Sequence, residues 1–286
     1  MLDFDLNSNS FNKLGFGLEF PIVMSENYSP VLKKYWGDVI NDPKEWFLAV
    51  QDEAVKLGAD FVSVYFNAQE PNDNKKSELL TSYKSIFKFI LDNSKIKLMI
   101  KLSSNAKWDC EVFCALSNII DRELIISPIQ AANYETLLKM ALNSGHKHKF
   151  VLRTPIDINL TKELNILSID AGLKAEQILI DPDMGCIGYG IDYGYSIIER
   201  ICLARQSGDR MLNMPIIVYA GEESYKAKES KSDDYSSSWG ELENRAKMWE
   251  ISTSSALIAA GANIAVCWHP EALKVLKQQF CEVLCH

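Results

Sequence analysis

Residues 177–200, QILIDPDMGCIGYGIDYGYSIIER, decide the fold. The run Ile178-Leu179-Ile180 is short and wholly apolar, as a strand buried on both faces would be. It stops at Asp181-Pro182 and crosses a turn carrying Gly185, Gly188 and Gly190. It then continues with apolar residues at three- and four-residue spacing, the period of a helix packed on one side. Strand, polar strand end, loop and helix in that order make one βα unit. Asp181 stands at the carboxyl edge of the strand, the edge on which β/α folds build their sites.

The unit recurs in both directions. Strands are predicted at 18–24, 61–66, 96–102, 123–127 and 150–153 before it, and at 215–219 and 264–268 after it. Helices are predicted after each strand. The first starts at Asp42-Pro43-Lys44-Glu45, a capping aspartate with proline at the first helical position and glutamate three residues after the cap. The others fall at 77–92, 108–119, 132–144, 159–171, 192–206, 243–260 and from Pro270 onward. Strict alternation over eight units predicts a parallel sheet closed into a TIM (β/α)8 barrel. A doubly wound open sheet is the alternative, but it usually has fewer strands. The expected organisation is a single α/β domain over 1–286, with 1–17 as an arm or cap. Residues 220–242, AGEESYKAKESKSDDYSSSWGEL, form a long loop after strand seven that is expected to be mobile until something covers it.

Composition narrows the function. The chain is 47% hydrophobic and 24% charged, the balance of a globular protein, and no apolar run approaches the roughly 20 residues that cross a bilayer. The start, MLDFDLNSNSFNKL, has no basic stretch ahead of an apolar core, so no secretion signal is expected and the cytoplasm is the default location. A net charge of −8 argues against a nucleic-acid or anionic-membrane surface. Seven scattered cysteines read as reduced thiols rather than a disulfide framework, and no spacing suits an iron–sulfur cluster.

On a barrel, the active face collects the residues that follow each strand: Ser25, Glu26, Asn67, Ser103 to Asn105, Ser127, Thr154 to Asn159, Asp181 to Gly190, Gly221, Glu222 and His269. Three acids stand out, Asp157, Asp181 and Glu222, and a desolvated member of such a set could do acid–base work. Against this, Asp157 and Asn159 suit the start of a helix as turn and cap residues, and His269 before Pro270 suits a cap as well. Gly188-Tyr189-Gly190 lacks the third glycine of a dinucleotide fingerprint. Its glycines provide either positive φ or room for a flat ligand, and Tyr189 either packs or stacks. Metal binding is not expected. Cys110 and Cys114 lie one helical turn apart with no matching pair, which points to packing, and Cys281, Cys285 and His286 lie at the carboxyl end.

These residues carry a resemblance. Asp181-Pro182, Gly185, Ile187-Gly188-Tyr189-Gly190-Ile191, Tyr193, Tyr195-Ser196 and Glu199-Arg200 resemble the signature DPTTGxLGYGxEYxYSxMER. That signature belongs to the small (delta) subunit of the corrinoid iron–sulfur protein in the carbon monoxide dehydrogenase/acetyl-CoA synthase system. Thr154 to Leu167, TPIDINLTKELNIL, is similar to its SPxDINLAKQLNILL. Gly58-Ala59-Asp60, Trp239-Gly240, Arg245, Trp249-Glu250, Ala260 to Asn263 and His269 to Ala272 agree in order. The resemblance covers roughly residues 42–276. Asp183 and Met184 replace its threonine pair, Cys186 a small residue, Asp192 a glutamate and Gly194 a bulkier residue; these departures are expected on the loops facing a partner or a corrinoid.

The resemblance implies a TIM barrel with no iron–sulfur cluster of its own and no catalytic residue. It implies a heterodimer with the large corrinoid iron–sulfur subunit. In that role the complex carries a methyl group from a methyltetrahydrofolate methyltransferase to acetyl-CoA synthase, in the anaerobic acetyl-CoA pathway of one-carbon metabolism. The barrel mouth would help enclose a corrinoid (cobamide) shared with that partner, facing it with Asn105, Thr154, Asp157, Asn159, Asp181, Gly185, Gly188, Tyr189 and His269. The chain lacks D-x-H-x-x-G, the histidine motif that holds some corrinoids from below. Two other readings compete. A stand-alone pterin- or corrinoid-dependent methyltransferase would hold a pterin with Asp157, Asn159 and Asp181. A scaffold that has lost its ligand would have an occluded mouth.

Overall fold

The computed structural model describes residues 14–284, with side chains through Phe280. Among them are eight parallel strands: β1 (Gly15–Pro21), β2 (Phe61–Tyr65), β3 (Lys97–Lys101), β4 (Ile125–Ile129), β5 (Lys149–Arg153), β6 (Ile178–Asp181), β7 (Ile217–Val218) and β8 (Ile264–Cys267). They hydrogen-bond in the order β6-β5-β4-β3-β2-β1-β8-β7. A parallel bridge from Ile180 to Ile216 joins the two ends and closes the barrel. Ten helices surround it: α1 (Pro30–Trp36), α2 (Pro43–Lys56), α3 (Asp73–Asn93), α4 (Ala106–Ser117), α5 (Tyr134–Leu142), α6 (Ile158–Asp170), α7 (Ile191–Gln206), α8 (Ala220–Lys226), α9 (Leu242–Ala260) and α10 (Pro270–Leu284). The barrel and all eight expected crossover helices are present.

Strand periodicity divides the apolar residues between two cores. One set points into the barrel: Phe61, Met99, Ile125, Val151, Leu179, Ile217, Ile264 and Val266. The alternate set, including Leu18, Phe20, Val64, Ile100 and Leu152, packs outward against helix faces such as Trp46, Phe47 and Val50 of α2. Burial on both faces is why the strands read as continuous apolar runs. α2 begins as expected, with the Lys44 N–H donating to Asp42 Oδ1 at 2.8 Å.

Two expectations need correction, and one helix, α1, lies in a stretch for which no element was predicted. The first strand starts at Gly15 rather than Leu18, so the expected arm loses its last residues to the barrel; residues 1–13 of that arm lie outside the described residues. The polar stretch after β1 holds a helix, α1, because Val31, Leu32 and Trp36 fall on one buried side of it. The stretch 220–242 is not a bare loop. It contains α8 and two short 3-10 turns, Lys228–Ser230 and Ser237–Trp239. Glu222, Ser224, Tyr225 and Ser230 are buried within it.

One residue of α9 fixes most of that stretch. The guanidinium of Arg245 donates to the carbonyls of Glu229 (2.7 Å), Gly240 (2.7 Å) and Ser232 (2.5 Å). Three carbonyls that would otherwise need water are thus held by one buried cation. Replacing Arg245 with Ala is expected to lower the local stability of 227–241 by roughly 3 kcal/mol, since hydrogen bonds to charged groups are the stronger kind. That opens the segment on the order of a hundred-fold more often. Limited trypsin digestion should then cut first after Lys231 in the variant and not in the parent. Equal digestion patterns would show that the segment is held by other contacts.

Candidate functional site

Charged residues face inward near the carboxyl ends of several strands. Glu19 on β1, Lys101 on β3, Arg153 on β5 and Asp181 on β6 form the top layer of the barrel interior. Parallel register sets Glu19 beside Ser63, Tyr65 beside Lys101 and Arg153 beside Asp181. The layer is closed on itself. Lys101 Nζ donates to Glu19 Oε1 at 2.7 Å and to Glu222 Oε2 of α8 at 2.5 Å. It also lies 4.2 and 4.3 Å from the ring centres of Tyr65 and Tyr219, where two negative π faces stabilise the charge. Glu19 accepts two further bonds, from the Trp268 indole N–H (2.8 Å) and the Ser63 hydroxyl (2.7 Å).

A second pair adjoins the first. Arg153 Nε donates to Asp181 Oδ2 at 2.5 Å, and its Nη1 to Ser104 Oγ at 3.0 Å. Ser104 is held at φ 70, a left-handed conformation costly for serine, while both the amide and the hydroxyl of Ser103 donate to Asp109 Oδ1. Burial opposes the charge of Arg153, but Asp181 and Glu222 outweigh it and hold its pKa above the ordinary value. Burial likewise opposes the charge of Glu222. Lys101, Lys226 and Arg153 outweigh it and keep that carboxyl well below the usual carboxylate range. Glu19, Lys101 and Asp181 are each 1% exposed, so the mouth is filled by its own ion pairs.

α8 supplies the stopper. It leaves β7 at once and presses against the end of β8, where a Cβ on Gly221 would lie 2.5 Å from the Trp268 nitrogen and 2.8 Å from Glu250 Oε1. Glu250 of α9 accepts from the Trp268 N–H at 2.6 Å and the His269 N–H at 3.2 Å. Those bonds favour the anion, but complete burial is the larger effect and pushes the carboxyl up to about 8.

The residues expected to face a ligand do not converge. Asp157 caps α6, accepting from the amides of Asn159 (2.7 Å) and Leu160 (3.0 Å), so the helix-cap reading holds for Asp157, while Asn159 takes part only through its backbone amide in the first turn. Asn105 caps α4 through the Trp108 amide. His269 is buried, accepts the Glu271 N–H on Nδ1 at 3.1 Å, and is pushed down to about 4 by burial. Thr154 is buried against Thr161 at 2.7 Å. Asp181 presents no free carboxylate, being paired with Arg153 and bonded to the Asp183 amide. The loop glycines serve the loop itself: a Cβ on Gly185 would sit 2.3 Å from the Tyr189 carbonyl oxygen, and Gly188 has φ 75. Tyr189 is exposed, its hydroxyl accepting the Lys228 amide at 3.3 Å.

Arg153 and Thr154 also line a groove of about 490 Å³ with Ser104, Gln130, Leu160 and Leu164. The departures at 184, 186 and 194 point inward, contrary to expectation. Met184 and Cys186 are buried, and a Cβ on Gly194 would meet Met184 Cβ at 3.0 Å, so the larger residue at 184 occupies the space that glycine leaves at 194. Cys114 is exposed rather than packed. Among the described residues no group of three His, Cys, Asp or Glu is placed to hold a metal ion, and no helix is long and apolar enough to cross a membrane.

Glu19, Lys101 and Arg153 were not recognisable as site residues from strand positions alone. The available signal was period two: Lys101 shares a side with Met99, Arg153 with Val151, and Asp181 with Leu179.

Two outcomes follow from the network. Lys101→Met leaves two buried carboxylates facing each other and is expected to destabilise the fold by about 3–5 kcal/mol, read as a thermal midpoint lowered by roughly 10 °C. The triple variant Lys101→Met/Glu19→Gln/Glu222→Gln should recover much of the loss. Failure to recover would assign the cost to packing instead. For Glu250, the folded pKa (about 8) exceeds the ordinary 4.5. The folded state therefore binds the extra proton, and this contribution is complete below pH 4.5 and lost as pH rises through about 8. Glu250→Gln should flatten the decline of stability with pH across that window in denaturant titrations; an unchanged slope would place the titration elsewhere.

Comparison with known proteins places this geometry. The chain is 28% identical over 251 residues to the acetyl-CoA decarbonylase/synthase complex subunit delta of Methanopyrus kandleri, covering 86% of this chain and 60% of that protein. It is 29% identical over 260 residues to the subunit of the same name from Archaeoglobus fulgidus, covering 87% of this chain and 55% of that protein. The chain thus matches little more than half the length of these relatives. Similar solved folds include the dihydropteroate synthase of Coxiella burnetii in complex with pteroic acid, at TM-score 0.61 and 13% identity over 96% of this chain and 95% of that one. Another is that of Yersinia pestis with a sulfonamide drug, at TM-score 0.61 and 10% identity over 98% and 96%. At such identities the likeness shows the TIM-barrel fold alone. The sequence model described as CO dehydrogenase/acetyl-CoA synthase delta subunit matches residues 7–259. The chain therefore belongs to the CO dehydrogenase/acetyl-CoA synthase delta subunit family.

Proposed function

We propose that this chain is a non-catalytic subunit that covers a corrinoid held by a larger partner during methyl transfer to acetyl-CoA synthase. The observation that carries the reading is the sealed mouth. Glu19, Lys101, Glu222, Arg153 and Asp181 at the top of the barrel are each engaged by another group of the chain, so none of these five is left free to act as acid or base on a bound substrate. A corrinoid supplies a cobalt centre that carries a methyl group. Among the described residues the mouth offers no cobalt ligand: His269 is buried with Nδ1 committed to a helix cap. The residues fit a cover rather than a socket. A closed top made of α8 and the glycine loop 183–190 suits the face of a broad, planar ring, where it would exclude water from the metal.

In this reading the chain pairs with the large corrinoid iron–sulfur subunit as a heterodimer in the cytoplasm. That complex meets a methyltetrahydrofolate methyltransferase at one step and acetyl-CoA synthase at the next. The sealed mouth equally favours a second reading, a scaffold that binds the complex without touching the corrinoid. It disfavours a stand-alone methyltransferase, because Asp157 and Asn159 sit at a helix start and Asp181 is paired.

Anaerobic co-purification with the large subunit tests the proposal, using absorption spectroscopy of the corrinoid. The expected result is a stable complex in which reduced cobalt oxidises more slowly than in the large subunit alone. A complex with unchanged oxidation would favour the scaffold, and no complex would defeat both readings.

A further inference from the structure

Arg153 closes the mouth with only part of its guanidinium. Nε is bonded to Asp181 and Nη1 to Ser104, while Nη2 bonds to no group among the described residues and is not enclosed by them. A guanidinium carries five N–H donors in one plane, so these two bonds leave donors over. Arg153 also lines the groove of about 490 Å³, a size within the range of small-molecule sites, where the remaining donors are within reach of a ligand.

The guanidinium is fixed in place. Asp181 and Ser104 hold it by hydrogen bonds, and the centre of the Tyr219 ring lies 5.1 Å from its central carbon. Ser104 sits at φ 70 beside it, and buried Asp109 ties down the neighbouring Ser103 through its amide (2.9 Å) and hydroxyl (2.8 Å). A strained backbone that is held by buried partners marks a positioned group. Gln130, directly after β4, adds a second polar group to the groove. Its backbone N–H and carbonyl serve the turn into α5, but its half-buried side-chain amide bonds to no described residue. Much of the remaining wall is hydrocarbon, from Ala106, Ala131, Leu160, Leu164 and Leu167.

The neighbours set the charge that the groove accepts. Asp181 already answers Arg153, and Glu163 stands exposed on the wall. A dianion such as phosphate would meet both carboxylates, and a cation would meet Arg153. A single negative charge on a planar head two oxygens wide matches the guanidinium. We infer that the groove is a binding site for a monocarboxylate with a short hydrocarbon chain, independently of the cover role proposed above. The carboxylate accepts from Arg153 Nη2 and the Gln130 amide, and the chain lies on Leu160, Leu164 and Leu167. A ligand with two carboxylates would set the second against Glu163. Asp181 stays paired throughout, so the mouth stays shut.

Titration of the full chain with hexanoate, followed by ligand-observed saturation-transfer NMR, is the test. Hexanoate should saturate one site. Hexan-1-ol, hexylamine and adipate should each bind roughly tenfold or more weakly, the scale of one hydrogen bond to a charged group. Ala131→Trp should abolish binding by filling the groove, Gln130→Leu should weaken it roughly tenfold, and Glu163→Gln should tighten it. All three positions are exposed or half-buried and lie outside the ion-pair network, so unfolding midpoints should match the parent and separate lost binding from lost folding. No saturation by hexanoate, equal binding of hexylamine, or parent-like affinity in Ala131→Trp would each overturn the site while leaving the cover role standing. Weakening by Glu163→Gln would overturn the charge assigned to the ligand.

Discussion

The ion pair of Lys101 with Glu19 and Glu222 governs the top of this barrel. Burying three charges costs several kcal/mol per ion, and attraction alone seldom returns a profit over well-packed apolar side chains. The arrangement succeeds because each group has further partners: two tyrosine faces around Lys101, an indole and a hydroxyl on Glu19, and Lys226 on Glu222. Its geometric consequence is larger than its energetic one. Glu222 belongs to α8, so the pair can form only if α8 lies across the mouth. Gly221 allows that approach, and Glu250 fixes the strand end on which α8 rests.

This closure bears on the chemistry. TIM barrels act through residues at the carboxyl ends of their strands, and here Glu19, Lys101, Arg153 and Asp181 are held by partners within the chain while Asp157, Asn105 and His269 cap helices. Perturbed titration often marks a catalytic group. Glu250 is perturbed, yet it binds two backbone N–H groups and faces Gly221, which is the position of a structural fastener. Asp109, pushed up to about 6 by burial, likewise tethers the loop that carries Ser104. These two titratable groups therefore serve to hold the top of the barrel in place.

Much of the barrel was legible in the sequence because parallel strands buried on both faces give short apolar runs, and helices between them give a different period. Asp42-Pro43 marked a helix start by local chemistry that needs no tertiary context. α8 was not legible. Its residues, AGEESYK, are polar and form only seven residues of helix, so nothing local distinguishes it from a loop; the burial of Glu222 and Tyr225 is imposed by Lys101 and by β8. The site was half legible. Residues after strands could be named, but whether a polar side chain there caps a helix, as Asp157 does, or pairs with a neighbouring strand, as Asp181 does, or with a helix across the mouth, as Lys101 does with Glu222, depends on partners up to 121 residues away in the chain. The departures at Met184 and Gly194 show the same limit, since their mutual compensation is visible only once loop and helix are packed.

The proposed role, a cover rather than a ligand-binding enzyme, requires that the chain's own charges close the barrel mouth. Isothermal calorimetry of the isolated chain with methyltetrahydrofolate tests it most directly. No saturable heat is expected. Stoichiometric, tight binding that is lost on substitution of Asp181 or Lys101 would contradict it.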